Sequence, residues 1–167
     1  LPNEGFKMKD DFYFSYHANF HYNSENDWTF PKRGARFSAE YAYFTDNFAN
    51  YKDHIGFSEV SASWRMSFGL AKGLTLQPLF YGRMLFGSDI PLIRQKVIGG
   101  QWFGHYIEQQ MPFVGVHHFE FTDPHFLACQ LKLQEQLATN NFILLKIAGA
   151  QHADKLRNLF KHSLMRG

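Results

Sequence analysis

The amino-acid sequence predicts an all-β fold: an antiparallel up-and-down β-barrel, or a segment of one, with about seven or eight long strands and a short C-terminal helix. Three observations lead there. Side chains alternate between ringed and polar over stretches longer than a typical soluble strand of about 5–6 residues. Turns bearing Gly, Asn and Pro separate those stretches. Aromatic residues make up 18% of the 167-residue chain, with 19 Phe, 8 Tyr and 3 Trp. One small core cannot bury so many rings and also give every Tyr and Trp a polar partner.

Asp11 to Tyr22 sets the pattern. Phe12, Phe14, Tyr16, Ala18, Phe20 and Tyr22 fall on one face, and Asp11, Ser15, His17, Asn19 and His21 on the other, with Tyr13 the exception. In the next stretch Ala35, Phe37, Ala39, Tyr41 and Tyr43 oppose Arg36, Ser38 and Glu40. The cleanest alternation sets Val60, Ala62, Trp64, Met66 and Phe68 against Glu59, Ser61, Ser63, Arg65 and Ser67. Leu74 to Phe86 puts Gln77 and Arg83 on a common face. Tyr106 to Phe121 is interrupted by Pro112 and Gly115, which mark an edge, a bulge or a bend. Leu127, Cys129, Leu131, Leu133 and Leu137 oppose Gln130, Lys132, Gln134 and Gln136, and Phe142 to Gln151 is apolar on both faces except at Lys146. Glu135, Gln136 and Lys146 are the polar exceptions in these last two strands.

Gly69 to Gly73, Phe121 to His125 and Thr139 to Asn141 are predicted to be short hairpin connections. Gly87 to Gly104 is a long Gly-rich loop with Pro91, large enough for a specific task. Leu156, Leu159, Phe160 and Leu164 recur at helical spacing and predict a short amphipathic helix from Ala153 to Met165. The chain therefore divides into a lead-in (1–10), a barrel segment (11–152) and a short helix or loop (153–167). Long open strand edges are a liability, so the native chain is expected to continue beyond both ends.

Charge and composition exclude several classes. Lys and Arg number 17 against 15 Asp and Glu, a net +2 without a dense basic run, which is a poor nucleic-acid footprint. Cys129 is the only cysteine, so neither an internal disulfide framework nor a cysteine zinc site is possible. No apolar run approaches the roughly 20 residues of a spanning helix. The mean hydropathy of −0.34 is compatible with a membrane β-barrel, whose strands turn half their side chains to water.

The usual chemical motifs are missing. No Gly-x-Ser-x-Gly elbow exists; Ser88, in Gly87-Ser88-Asp89, lacks the second glycine. His17 and His21 share a face but lie about 13 Å apart at ~3.3 Å per residue, too far to grip one zinc ion. His117 and His118 point to opposite faces, and His125 and His152 are assigned to turns. Asp10, Asp11, Asp46, Asp53, Glu59 and Glu120 form no pair that the sequence brings together. Gly99-Gly100 followed by Gly104 lacks the strand-before, helix-after setting of a phosphate loop. The expectation is a segment with no catalytic residue, no metal and no cofactor.

The rings carry the functional argument. If they face lipid, Ser61, Ser63, Arg65, Gln130, Lys132 and Gln134 face a polar lumen, and Tyr22, Tyr41, Tyr43, Tyr51, Tyr81, Trp102 and Tyr106 stand at strand ends as an interfacial girdle. Two other arrangements fit the same alternation. One is a soluble small barrel binding a lipid-like apolar ligand, with Phe14, Phe37, Trp64 and Leu131 converging on a dry centre. The other is an open sheet that pairs with a second copy of the chain.

The long loop adds a resemblance. Val97-Ile98-Gly99-Gly100, Gly104-His105-Tyr106 and Gln109-Gln110-Met111-Pro112-Phe113-Val114-Gly115 resemble the C-terminal β-barrel of bacterial surface antigens, in the superfamily of BamA-type and two-partner-secretion transporters. Arg33-Gly34 before Ala35-Arg36-Phe37, Gly82-Arg83 to Gly87, and Leu131 to Asn141 are similar too. The likeness runs from about Phe12 to Ala150. It is greatest to the barrel that follows a patatin-like phospholipase domain in Bacteroidota outer-membrane proteins. The resemblance implies an outer-membrane barrel of a Gram-negative bacterium that anchors, and exports or displays, an upstream domain. The phospholipase residues would lie in that upstream domain, not in this segment. The implied partners are outer-membrane lipid, the upstream domain and a second copy of the chain.

In the superfamily an Arg-Gly-Phe/Tyr tripeptide reaches into the lumen. The matching stretch here is Phe103-Gly104-His105-Tyr106, which lacks the arginine and inserts His105 before the ring. The cationic contact would then be lost or moved to Arg94 or Lys96. By this resemblance Ile98, Gly99, Gly100, Gly104, His105 and Tyr106 form a lumen-loop motif, and the loop from Gly87 to Gly104 plugs or gates the barrel.

Overall fold

A computed structural model describes residues 14–45, 56–87, 90, 96–98, 110–111, 121–139, 141–153, 155–158 and 165–166. Six long strands run up and down: β1 (Phe14–Asn23), β2 (Gly34–Thr45), β3 (Gly56–Ala71), β4 (Leu74–Gly87), and then β8 (His125–Ala138) and β9 (Asn141–Ala153). Between β4 and β8 lie the short strands β5 (Lys96–Ile98), β6 (Gln110–Met111) and β7 (Phe121–Asp123), and β10 (Met165–Arg166) follows β9. The main sheet has the order β1-β2-β3-β4-β8-β9-β10, and β6-β5-β7 form a small separate sheet. Every pairing in the main sheet is antiparallel. Among the described residues the sheet does not close on itself.

The predicted alternation sets the register. Phe37 pairs with Trp64 and Trp64 with Phe80, while one step along Arg36 pairs with Arg65. A slip of one residue would turn every ring to the polar face, which is why so regular an alternation specifies one register. Phe14, Trp64 and Leu131 are 36%, 46% and 39% exposed, and Phe20, Tyr22, Phe68, Phe80, Ile143, Leu145 and Ile147 stand bare beside them. The rings do not converge on a dry centre. Most of the buried residues belong to the opposite face, where Phe44, Phe57, Leu85 and Ala42 cluster near one end; Thr45, His125 and Ala153 are buried on the ringed side.

One ladder carries a gap. Pairs run through Arg65↔Leu79 and resume at Phe68↔Leu76. Pro78 sits in that gap and has no N–H to give.

Several expectations are corrected. Among the described residues, the predicted helix from Ala153 to Met165 does not form: β9 runs to Ala153, a 3-10 turn spans Leu156–Asn158, and Met165 enters β10, while 154 and 159–164 lie outside them. The apolar spacing there was too short to outweigh strand pairing. Phe121 to His125 is not a hairpin; Phe121–Asp123 pairs with β5, and β8 begins two residues later in the main sheet. His125 and His152 lie in strands β8 and β9, not in turns, and His152 Nδ1 bonds Asp123 Oδ2. Tyr81 is not at a strand end. It pairs with Ser63 and Ala128 in the middle of β4, on the polar face, against the Phe126 ring. Of the strand predicted from Tyr106 to Phe121, only 110–111 and 121 fall within the described residues. The expected lead-in, Tyr51, Trp102 and Tyr106 lie outside them.

Candidate functional site

The polar face is covered at one end by the β1–β2 connection, residues 24–33. Its sequence folds it locally. Asn23 Oδ1 accepts from Glu25 N at 3.0 Å, and Asp27 Oδ1 accepts from Thr29 N and Phe30 N, each at 2.8 Å. Asn26 Oδ1 accepts from Lys32 N at 2.9 Å and Arg33 N at 3.0 Å. Short side-chain acceptors of this kind replace a backbone ladder where the chain must turn. The backbone donors of Phe30 and then Thr29 hold the Asp27 carboxyl below its usual value of 3.8. Gly34, at φ 107°, closes the loop; a Cβ there would stand 2.3 Å from the Ser24 carbonyl oxygen.

The loop then reaches across the sheet. Arg65, on β3, donates to Glu25 from Nε at 2.7 Å and from Nη2 at 2.6 Å. Arg36 Nε, on β2, lies 3.1 Å from Glu25 Oε2, an ion pair without hydrogen-bond geometry. The Glu25 side chain is fully sealed from solvent. Trp28 lies over the Arg36 guanidinium at 4.0 Å. The carbonyl of Pro31 accepts from Gln77 Nε2 on β4, and Lys32 Nζ donates to Gln136 Oε1 on β8 at 2.7 Å. Phe30 stacks on Phe142 of β9, with centroids 4.0 Å apart and planes 10° from parallel. One loop thus touches β2, β3, β4, β8 and β9.

At the far end of the same face Arg83, 2% exposed, makes a paired contact with Glu59, its Nη2 at 2.7 Å from Oε2. Phe44 and Phe57 stack beside it at 4.8 Å, and the His17 ring meets Phe44 edge-on at 5.7 Å. His17 also lies 3.3 Å from Glu40, and His21 bonds Ser38 at 2.9 Å. Among the described residues no three His, Cys, Asp or Glu side chains cluster to hold a metal ion.

Of the residues singled out in the sequence, Arg65, Gln130, Lys132 and Gln134 all fall on this polar face. Gln130 is opposite Leu79, Lys132 opposite Gln77 and Gln134 opposite Thr75. Lys132 also pairs with Lys146, and feels the charges of Arg65, Lys146 and Glu25. Of the loop motif, Ile98 lies in β5, while Gly99, Gly100, Gly104, His105 and Tyr106 lie outside the described residues. The 24–33 strap is a feature that sequence reasoning missed. Its signal was the run Asn23-Ser24-Glu25-Asn26-Asp27 closing on Gly34, dense in turn-forming acceptors.

On the ringed face, Phe37, Trp64, Phe80 and Leu127 wall a groove of about 460 Å³ over Ala62 and Gly82. No helix among the described residues is long and apolar enough to cross a membrane, which leaves a crossing by strands open.

A single antiparallel sheet of strands 10 to 16 residues long, bare and ringed on one side and ion-paired on the other, is a segment of an outer-membrane-type β-barrel. Residues 2–164 match the family model of the OMP85 superfamily, and the chain belongs to that superfamily. No curated protein matches it.

Proposed function

We propose that this chain forms part of the wall of a barrel in the outer membrane of a Gram-negative bacterium, anchoring an upstream domain of the same protein and exporting or displaying it. The observation that carries the reading is the division of faces. Trp64 and Leu131 stand bare while Arg83 and Glu25 are sealed on the other side. In lipid the backbone must satisfy its own hydrogen bonds, and a closed sheet of long strands does so. The polar face then lines a lumen, with Arg65, Gln130, Lys132 and Gln134 on its wall. The short turns after Ala71 and Ala138 lie at the same end of the sheet as the strap, and by the rule that periplasmic turns are short they make it the periplasmic end. The patatin-like identity of the upstream domain, the Bacteroidota source and the surface-antigen role rest on the sequence resemblance.

Cys129 supplies the test. It is exposed, and pairs with Phe80 on the ringed face. In native membranes it should react with a membrane-permeant uncharged maleimide and resist a charged one. Equal reaction with both would put this face in water and overturn the lipid-facing reading.

A further inference from the structure

The wall beneath the 24–33 strap carries more positive charge than the strap neutralises. Arg36 pairs with Arg65 across β2 and β3, and Lys132 with Lys146 across β8 and β9, all on the polar face. Among the described residues, Glu25 is the one carboxylate that ion-pairs with either arginine, and its field also reaches Lys132. Glu25 comes from a loop, not from the wall. Its two oxygens accept from Nε and Nη2 of Arg65, the fork geometry by which arginine grips carboxylate and phosphate oxyanions. Arg36 Nε and Nη2 are buried without a hydrogen-bond acceptor, so donors remain even with Glu25 in place. Two arginines on one carboxylate, with the Lys132–Lys146 pair on the same face, suit an oxyanion bearing more than one negative charge.

We propose that Arg36, Arg65, Lys132 and Lys146 form a binding site for a phosphate-bearing molecule, and that Glu25 is a tethered occupant which that phosphate displaces. This rests on the polar face being a water-accessible lumen, as proposed above. Release of Glu25 removes the strap's ion pairs to Arg36 on β2 and Arg65 on β3, so binding of phosphate and loosening of the strap at that point are one event. By linkage, a strap that cannot grip leaves the site open and raises its affinity.

The full chain in detergent micelles tests this with inorganic pyrophosphate, followed by calorimetry. Glu25→Gln should bind pyrophosphate at least tenfold more tightly than the unsubstituted chain, and adding Arg65→Met should abolish the gain. Equal affinity of Glu25→Gln and the unsubstituted chain would overturn the proposal. A readout on the unsubstituted chain stands even if the variant fails to fold. Pyrophosphate should speed tryptic cleavage at Lys32 and Arg33 beyond chloride of equal ionic strength, and equal rates would overturn the proposal. A short-chain phosphatidic acid run in parallel separates a lipid headgroup from free phosphate as the preferred source. Failure of the chain to enter micelles would strike the membrane reading instead, and is seen before any titration.

Discussion

Glu25 and Arg65, forty residues apart in sequence, meet in a two-pronged ion pair that ties the β1–β2 connection to the centre of the sheet. The carboxylate is wholly buried, while Arg36 and Arg65 keep 26% and 24% of their side chains exposed. Breaking a buried ion pair costs about 3–5 kcal/mol. Here the partial exposure of both arginines lowers the expectation for Glu25→Ala to about 2 kcal/mol. Urea unfolding in micelles should show that loss, and prior removal of Arg65 should make it smaller.

The Arg83–Glu59 pair is more enclosed. Arg83 retains 1% and Glu59 14% side-chain exposure. Glu59→Ala removes the carboxylate from a buried guanidinium and should cost about 3–5 kcal/mol. Replacing both residues with apolar groups of similar volume should recover most of that loss. A double-mutant cycle on unfolding free energy checks the coupling; additive losses would mean that the two residues act separately.

How much of this was legible in the sequence follows from the range of the forces involved. Period two placed Trp64, Phe80 and Leu131 on one face and Arg65, Lys132 and Gln134 on the other, because alternation is a property of each strand alone. The strap was not legible. Glu25 is paired by residues on β2 and β3 after the chain has turned back, and no local spacing records that meeting. Tyr81 was misplaced for a related reason: a tyrosine in a strand suits a membrane interface and a polar wall equally well, and only the pairing of β4 with β3 and β8 decides. The helix from Ala153 to Met165 failed because Ala153 pairs with His125 and Met165 with Ala150, pairings between residues distant in sequence.

The two faces should respond differently to charge. Trp64 lies at the middle of β3 on the ringed side, and Ser63 is its neighbour on the polar side. Trp64→Arg should destabilise the folded barrel by about 2–4 kcal/mol, the cost of a cation at the lipid midplane. Ser63→Arg should cost a fraction of that. Folding into vesicles, followed by gel mobility without boiling, measures both. Equal losses would contradict a lipid-facing Trp64.

The strap should also carry a pH signature at Asp27, whose carboxylate accepts from the backbone of Phe30 and Thr29. Those bonds favour the ionised form, so the folded-state value lies below the ordinary 3.8. The sign follows by linkage: the stabilisation is present above 3.8 and is lost as pH falls through the lower folded-state value. Nothing should change at this site between pH 7 and pH 5. Hydrogen exchange at the amides of Thr29 and Phe30, corrected for its intrinsic pH dependence, should stay slow down to that low range and then accelerate. Asp27→Ala should exchange fast throughout and lose the transition. Acceleration between pH 7 and pH 5 in the unsubstituted chain would mean that another group, not Asp27, holds the turn.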